Sequence, residues 1–292
     1  MIRRSFFASG FMLAAIALLF ACKQKAAEPK STTPEYIIPE LIVYCENGVS
    51  APLDEISRHF EVRYNCKVTL HNGNIQNLVS IIEDTGKGDL FIPDSHRGFD
   101  ILRATQPDII LDTLYIGTNR MTFIVPIGNP EEFDGALSSM REKKHVVIIA
   151  NPETSSLGQI TRDILNREGI YSEVVNNSVR LSVDNRAIIR SIYNGEATLG
   201  IDWLSSYYYN DNRDKADTIH FNPKEPEFDI YASVLRISKN PGLAHTYLAM
   251  LSSPYGAGIF ELNGISRKKQ GVLITSKPNY GNSNNKEEDR IK

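Results

Sequence analysis

Four short segments of this 292-residue sequence are dense in side chains that hydrogen-bond small polar molecules: Glu46-Asn47-Gly48-Val49-Ser50, Asn72-Gly73-Asn74-Ile75-Gln76-Asn77, Asn151 to Gly158 (NPETSSLG) and Asp184-Asn185-Arg186. Amides and hydroxyls donate and accept without carrying charge, and a glycine lets a ligand approach the backbone closely. For any single residue among them, helix capping is the commoner use, because Ser, Asn and Asp satisfy the free N–H groups of a first turn. Four such segments point to a binding cleft if the fold brings them to one rim. Glu46 and Asp202 add carboxylates beside these segments. A carboxylate next to a bound anion repels it unless protonated or bonded to the ligand's own metal centre; facing water is the other position open to both.

Other chemistry has little support. Asp94-Ser95-His96 places three triad residue types in a row, but a triad is defined by geometry and roles, and adjacency cannot supply it. No G-x-S-x-G turn is present. The six histidines (His59, His71, His96, His145, His220 and His245) are scattered without a spaced pair or a cysteine partner, so no metal site is expected. No catalytic residue and no cofactor is assigned. Tyr207-Tyr208-Tyr209 either walls a ligand or, more commonly for such runs, packs a surface.

The binding segments need elements to hold them. Leu41 to Tyr44 is an apolar strand run, and Pro52 opens a helical pattern with Leu53, Ile56, Phe60 and Tyr64 on one face. Val68 to Leu70 is a second strand. Leu78, Ile81 and Ile82 stripe a second helix stopped by Gly86, and Asp89 to Ile92 is a third strand. This β-α-β-α-β order implies a parallel sheet flanked by helices. A second set follows, with strands at Met121 to Ile127 and Val146 to Ile149. Next come a helix carrying Leu157, Ile160 and Ile164 up to Gly169, a helix from about Asn185 to Asn194-Gly195, and a strand from Thr198 to Trp203. Tyr231 to Ile237 reads as extended, and two helices close the fold, the second between Ser253-Pro254 and Gly264. In parallel sheets, ligands gather beyond the carboxyl ends of the strands, which is where all four segments fall.

Cys22 ends a run that reads Leu19-Phe20-Ala21-Cys22 behind Arg3-Arg4 and an apolar core, the layout of a bacterial lipoprotein signal. The stretch from Phe6 to Ala21 is short of the roughly 20 residues of a spanning helix. The expected organisation is a signal peptide over 1–21, lipidation at Cys22, a flexible tether over 22–38 and a disordered tail over 276–292. Signal removal takes away Arg3 and Arg4 and moves the formal charge from −3 to −5. Such a mildly acidic chain has no electrostatic case for nucleic acid. Of the two remaining cysteines, Cys45 ends the first strand and Cys66 precedes the second. Parallel neighbours would put them at opposite ends of a strand spanning roughly 15 Å, whereas a disulfide needs Cα atoms within about 7 Å. Two free thiols are expected.

Over roughly residues 40–270 the sequence resembles the periplasmic molybdate- and tungstate-binding proteins, within the type II solute-binding proteins of ABC importers. The resemblance rests on LIVYCENGVSAPLDEISRHF, GDLFIPDS, NPETSSLG, RAIIRSIYNGEATLGIDW and SSPYGAGIFELNGI, in that order. It implies a non-enzymatic α/β protein of the two-lobed type II periplasmic-binding-protein fold. Lobe 1 would comprise 39–119 and 230–275, lobe 2 would comprise 120–229, and hinge strands would cross near 118–121 and 228–232. It also implies an oxyanion such as molybdate or tungstate as ligand, a permease and its ATPase as partners, a monomeric state, and a lipid-anchored place in the cell envelope. Where the family has a serine in the first loop, this chain has Gly48; where it has a run of serines, Asn74-Ile75-Gln76. The third loop aligns through Asn151-Pro152 and Gly158, with its binding position at Ser155, Ser156 or Leu157. The backbone donor falls at Asn185 and the family's tyrosine at Trp203. With Glu46 and Asn47, these complete the candidate ligand residues. The tungstate-binding branch brings carboxylates to the metal, a role open to Glu46 and Asp202. Another small anion, a hydroxyl-bearing solute, or an anchored adhesion protein without a transport role are the alternatives.

Overall fold

The computed structural model describes residues 38–268 and 273–275. The expected signal, Cys22, all of the tether but its last residue, and the expected tail lie outside the described residues. In chain order the elements begin β1 (Glu40–Glu46), α1 (Ser50–Tyr64), β2 (Lys67–Gly73), α2 (Ile75–Thr85), β3 (Leu90–Ile92), α3 (Arg97–Thr105) and β4 (Ile110–Val125). They continue β5 (Val147–Ala150), α4 (Ser156–Arg167), α5 (Tyr171–Asn176), β6 (Ser178–Ser182), α6 (Arg186–Tyr193), β7 (Leu199–Trp203), α7 (Leu204–Tyr207) and β8 (Asp217–Ile219). The last are β9 (Glu227–Leu235), α8 (Pro241–Leu251), α9 (Pro254–Leu262) and β10 (Leu273–Thr275).

The hydrogen-bonded strand path is β2-β1-β3-β9-β4-β7-β5-β6, with β8 and β10 also paired to β4. β1 runs parallel to both β2 and β3, and β5 parallel to both β6 and β7. Each parallel set has its own core. The first half packs Leu41, Val43, Leu53, Phe60 and Ile92 against Ile230, Tyr247 and Phe260 from the end of the chain. The second packs Phe123, Ile148, Leu157, Ile160, Ile188 and Ile201. β4 belongs to both sets. It pairs antiparallel with β9 from Ile110 opposite Leu235 to Arg120 opposite Glu227, then continues beside β7 from Met121 opposite Trp203.

The strand expected at Met121 is therefore the last part, Met121 to Val125, of a 16-residue strand. Residues 110–120 hid it because Asp112, Thr113, Thr118, Asn119 and Arg120 interrupt any apolar alternation. In α2 the inward face is Ile75, Leu78, Val79 and Ile82, while Ile81 of the expected stripe is exposed. Gly86 does close that helix: at φ 58° its N–H bonds Ile82 O at 2.9 Å, a left-handed cap that glycine adopts without strain. Cys45 lies opposite Asn72 at the carboxyl end of β1, and Cys66 precedes the residue opposite Glu40 at the other end. Both thiols are free and buried.

Candidate functional site

The loops beyond the carboxyl ends of β1, β3, β5, β6 and β7 meet between the two halves, and three buried carboxylates organise the meeting. Glu46 ends β1. Its carboxylate receives the Ser156 hydroxyl from the other half, with Oγ 2.9 and 2.8 Å from the two carboxylate oxygens. It also accepts the Asp94 backbone N–H at 3.0 Å, which fixes the loop after β3. That loop aims Asp94 across the cleft. Asp94 Oδ2 accepts the Trp203 indole N–H at 3.1 Å and a long contact from the Asn185 side-chain amide at 3.5 Å, both from the second half. Its Oδ1 lies against Gly48, where an added Cβ would stand 2.7 Å from that oxygen and 2.9 Å from Trp203 Cδ1. Only a residue without a side chain leaves this space to Asp94. Asp202, the third carboxylate, is the last residue but one of β7 and accepts the Trp203 N–H at 2.7 Å and the Ser206 hydroxyl at 2.9 Å.

Asp94 is 1% exposed and Asp202 fully buried, so the water-facing position left open for Asp202 is closed, and Glu46, at 2%, is closed to it as well. Burial pushes the Asp94 carboxyl well above the usual carboxylate range, and the neighbouring Glu46 and Asp202 charges add to it; the Trp203 indole and the nearby Gly48 N–H oppose the shift. Burial likewise raises Glu46 against the Ser156 hydroxyl and the Asp94 N–H. Asp202 is raised well above the usual range by burial against Ser206 and Trp203. Among the described residues, Asp202 Oδ2 has no hydrogen-bond partner, and Asp94 Oδ1 has only the Gly48 N–H nearby, outside hydrogen-bond geometry. An acceptor left this way costs about 1–3 kcal/mol, more if charged. The cation at the rim, Arg186, donates from Nη2 to Ser50 Oγ at 2.7 Å and stacks 4.8 Å over Tyr209, so it does not neutralise the cluster by contact.

Further ties hold the halves together. Asn47 Nδ2 donates to Asp184 Oδ1 at 2.8 Å, the same oxygen that accepts the Arg186 backbone N–H at 3.0 Å. Arg97 at the start of α3 bonds Asp163 of α4 at 2.6 Å. Asn74 reaches Val183 O at 3.3 Å. A hollow of about 570 Å³ opens along the β4–β9 pairing, lined by His96, Thr118, Phe228, Asp229 and Lys268 among others.

Of the residues singled out in the sequence, Glu46, Asn47, Gly48, Ser156, Asn185 and Trp203 come together here. Asn74 sits at the edge and chiefly caps α2, accepting the Asn77 N–H at 2.9 Å. Ser155 caps α4 through the Gly158 N–H at 3.4 Å. Leu157 buries its side chain in the core of the second half and Ile75 in a third cluster with Tyr44, Leu78, Ile82 and Phe91, because each is the first inward apolar residue of its helix; backbone alone could serve a ligand there. Gln76 is exposed on α2. Tyr207 packs on the second core, Tyr208 lies against Gly264, and Tyr209 carries Arg186, so the tyrosine run stabilises surfaces. Asp94 was missed. The carboxyl-end rule applied to β3 finds it, since it stands two residues past Ile92; its place beside Ser95 and His96 drew attention to catalysis instead.

Residues 41–266 match the family model described as bacterial extracellular solute-binding protein. The molybdate-binding protein ModA of Mycobacterium tuberculosis is 26% identical over 254 residues, 86% of this chain and 94% of that protein. Among solved structures, a periplasmic thiamin binding protein superposes with a TM-score of 0.69 at 15% identity, covering 80% of this chain and 84% of that one. The sulfate-binding protein SubI of M. tuberculosis H37Rv does so with a TM-score of 0.67 at 12% identity, covering 78% and 86%. The architecture is that of the type II periplasmic binding proteins.

Proposed function

Because the chain belongs to the bacterial extracellular solute-binding proteins, we propose that its halves are the lobes of a receptor that closes on a small solute and hands it to an ABC importer, doing no chemistry on it. The lobes would be 39–119 with 230–275, and 120–229, hinged where β4 and β9 cross. The observation that carries this reading is the Asp94 carboxylate reaching from one half to the Trp203 indole and the Asn185 amide of the other. Donors on the second half that serve a carboxylate serve any acceptor oxygen of similar size. A tetrahedral oxyanion such as molybdate or tungstate fits that donor set, and the molybdate-binding relative supports the choice. The fold alone does not make it, since neighbours of the same architecture are named for thiamin and for sulfate.

A hydroxyl-bearing solute is the second reading. Asp94 Oδ1 and Asp202 Oδ2, two buried carboxylate oxygens without a well-formed hydrogen bond among the described residues, favour a ligand that brings donors of its own. A melting-temperature screen of molybdate, tungstate, sulfate and small hydroxy acids separates the two. A ligand at 100 times its Kd stabilises by about 2.7 kcal/mol. A shift confined to hydroxy acids would discard the oxyanion, and no shift with any of them would discard both.

We further propose that Cys22 carries the lipid and that the protein works tethered beside its permease. Among the described residues no helix is long and apolar enough to cross a membrane. Dual acylation anchors stably where a single chain does not. Cys22→Ser should move the protein from the membrane to the soluble fraction; retention in the membrane fraction would rule out the lipid.

A further inference from the structure

We propose that Asp94 is an occupant built into the cleft: its carboxylate takes the place and the second-half donors that a solute's acceptor oxygen would use, so that a solute must displace it and a doubly charged solute is penalised for doing so. This rests on the interlobe cleft being the binding site. The argument starts from space. Gly48 has no side chain, and the room a Cβ would need is held by Asp94 Oδ1 at 2.7 Å and Trp203 Cδ1 at 2.9 Å. A side chain at 48 and a carboxylate at this point exclude one another. The second step is the donor set. Trp203 Nε1 and Asn185 Nδ2, both among the residues placed in the cleft from the sequence, are spent on Asp94 Oδ2.

The third step is charge. Once Asp94 is ionised, its close carboxylate neighbours Glu46 and Asp202 do not balance it, and the guanidinium of Arg186 is turned to Ser50 and Tyr209. An incoming anion that swings Asp94 aside leaves that carboxylate nearby, in surroundings poorer in water than the surface. Like charges in such a setting repel several times more strongly than in bulk water. A dianion feels twice the repulsion of a monoanion of the same shape. Asp94 therefore acts as a selectivity element: it holds the affinity for a dianion such as molybdate below what the donors alone would give, and disfavours small dianions relative to monoanions and to neutral solutes that can donate to it.

The test compares the full chain with Asp94→Asn, which keeps the shape and one acceptor oxygen but removes the charge. Asp94→Ala serves as a second variant, and circular dichroism checks that each folds. Molybdate and perrhenate, tetrahedral oxyanions of charge two and one, are titrated at about pH 8 by calorimetry. The expected result is a gain of about tenfold or more in molybdate affinity on losing the charge, with a distinctly smaller gain for perrhenate. A role limited to holding the loop would change both affinities alike. Equal gains, or molybdate affinity unchanged or weakened, overturn the proposal while leaving the oxyanion receptor intact. Failure of both anions to bind any of the three proteins removes the oxyanion reading and this selectivity with it.

Discussion

Trp203 Nε1 donates to Asp94 Oδ2 at 3.1 Å, and the two residues belong to opposite halves of the fold. Trp203 is the one tryptophan of the chain and is fully buried. Replacing it with Phe keeps a ring but removes the donor, leaving Asp94 Oδ2 with the long Asn185 contact. A buried acceptor deprived of its partner costs about 1–3 kcal/mol. Trp203→Phe should destabilise by that order in urea unfolding. A double-mutant cycle with Asp94→Ala should return a coupling of about 1 kcal/mol. Additive effects would mean that the two side chains do not meet in solution.

Gly48→Ala sets a methyl group against Asp94 Oδ1 and Trp203 Cδ1, at distances well inside van der Waals contact. Overpacking of this kind costs about 1–3 kcal/mol. Because the crowding lies between the halves, opening the cleft relieves it. The expected signature is a larger radius of gyration in small-angle scattering, with the unfolding midpoint lowered. An unchanged radius together with an unchanged midpoint would show that Gly48 has room to spare.

Two of the ties between the halves look alike but differ in worth. Arg97 and Asp163 form an ion pair whose side chains are each 41% exposed, and exposed pairs contribute about 0–1 kcal/mol. Asn47 is buried, and its amide meets an Asp184 oxygen that also receives the Arg186 N–H. Hydrogen bonds to charged groups contribute about 1.5–3 kcal/mol. Asn47→Ala should therefore weaken solute binding or lower stability more than Arg97→Ala does, and 0.5 M salt should erase the effect of Arg97 first. A larger loss from Arg97→Ala would reverse this ranking.

The elements that hold the cleft were legible because each carries one dominant signal. Leu53, Ile56 and Phe60 recur at helical spacing, Gly86 caps, and Val147 to Ile149 is a short apolar run buried on both faces. β4 was only partly read because Asp112 and Thr118 find partners far along the chain, His245 and Asp229 respectively, that local pattern cannot foresee. The site followed the same division. Gly48 and Asn185 stood in segments at strand ends and Trp203 came from the family resemblance, whereas the side chains of Ile75 and Leu157 were drawn into cores by the facing of their helices. Asp94 depended on a tertiary fact, the empty face of Gly48, which lies 46 residues before it and leaves no trace in local composition.

Stability should also report the three raised carboxylates. Burial lifts Glu46 above its ordinary 4.5 and Asp94 and Asp202 well above their ordinary 3.8. At a pH between the ordinary and the raised values, the folded protein holds protons that the unfolded chain has released. Stability is then lost as pH rises. The cluster's contribution is fullest below the ordinary values and is gone once pH passes the raised ones. The carboxyls lowered by hydrogen bonds, such as Glu40 and Asp134, act in the opposite sense but are barely buried. Between about pH 5 and about pH 8 in urea unfolding, the cluster should make stability decline with pH in the wild type, set against an opposite contribution from His145, whose imidazole burial pushes down. The decline should be shallower in Asp94→Asn, which cannot take up the proton. Equal slopes in the two proteins would mean that Asp94 is ionised throughout this range and that its charge is balanced within the cleft.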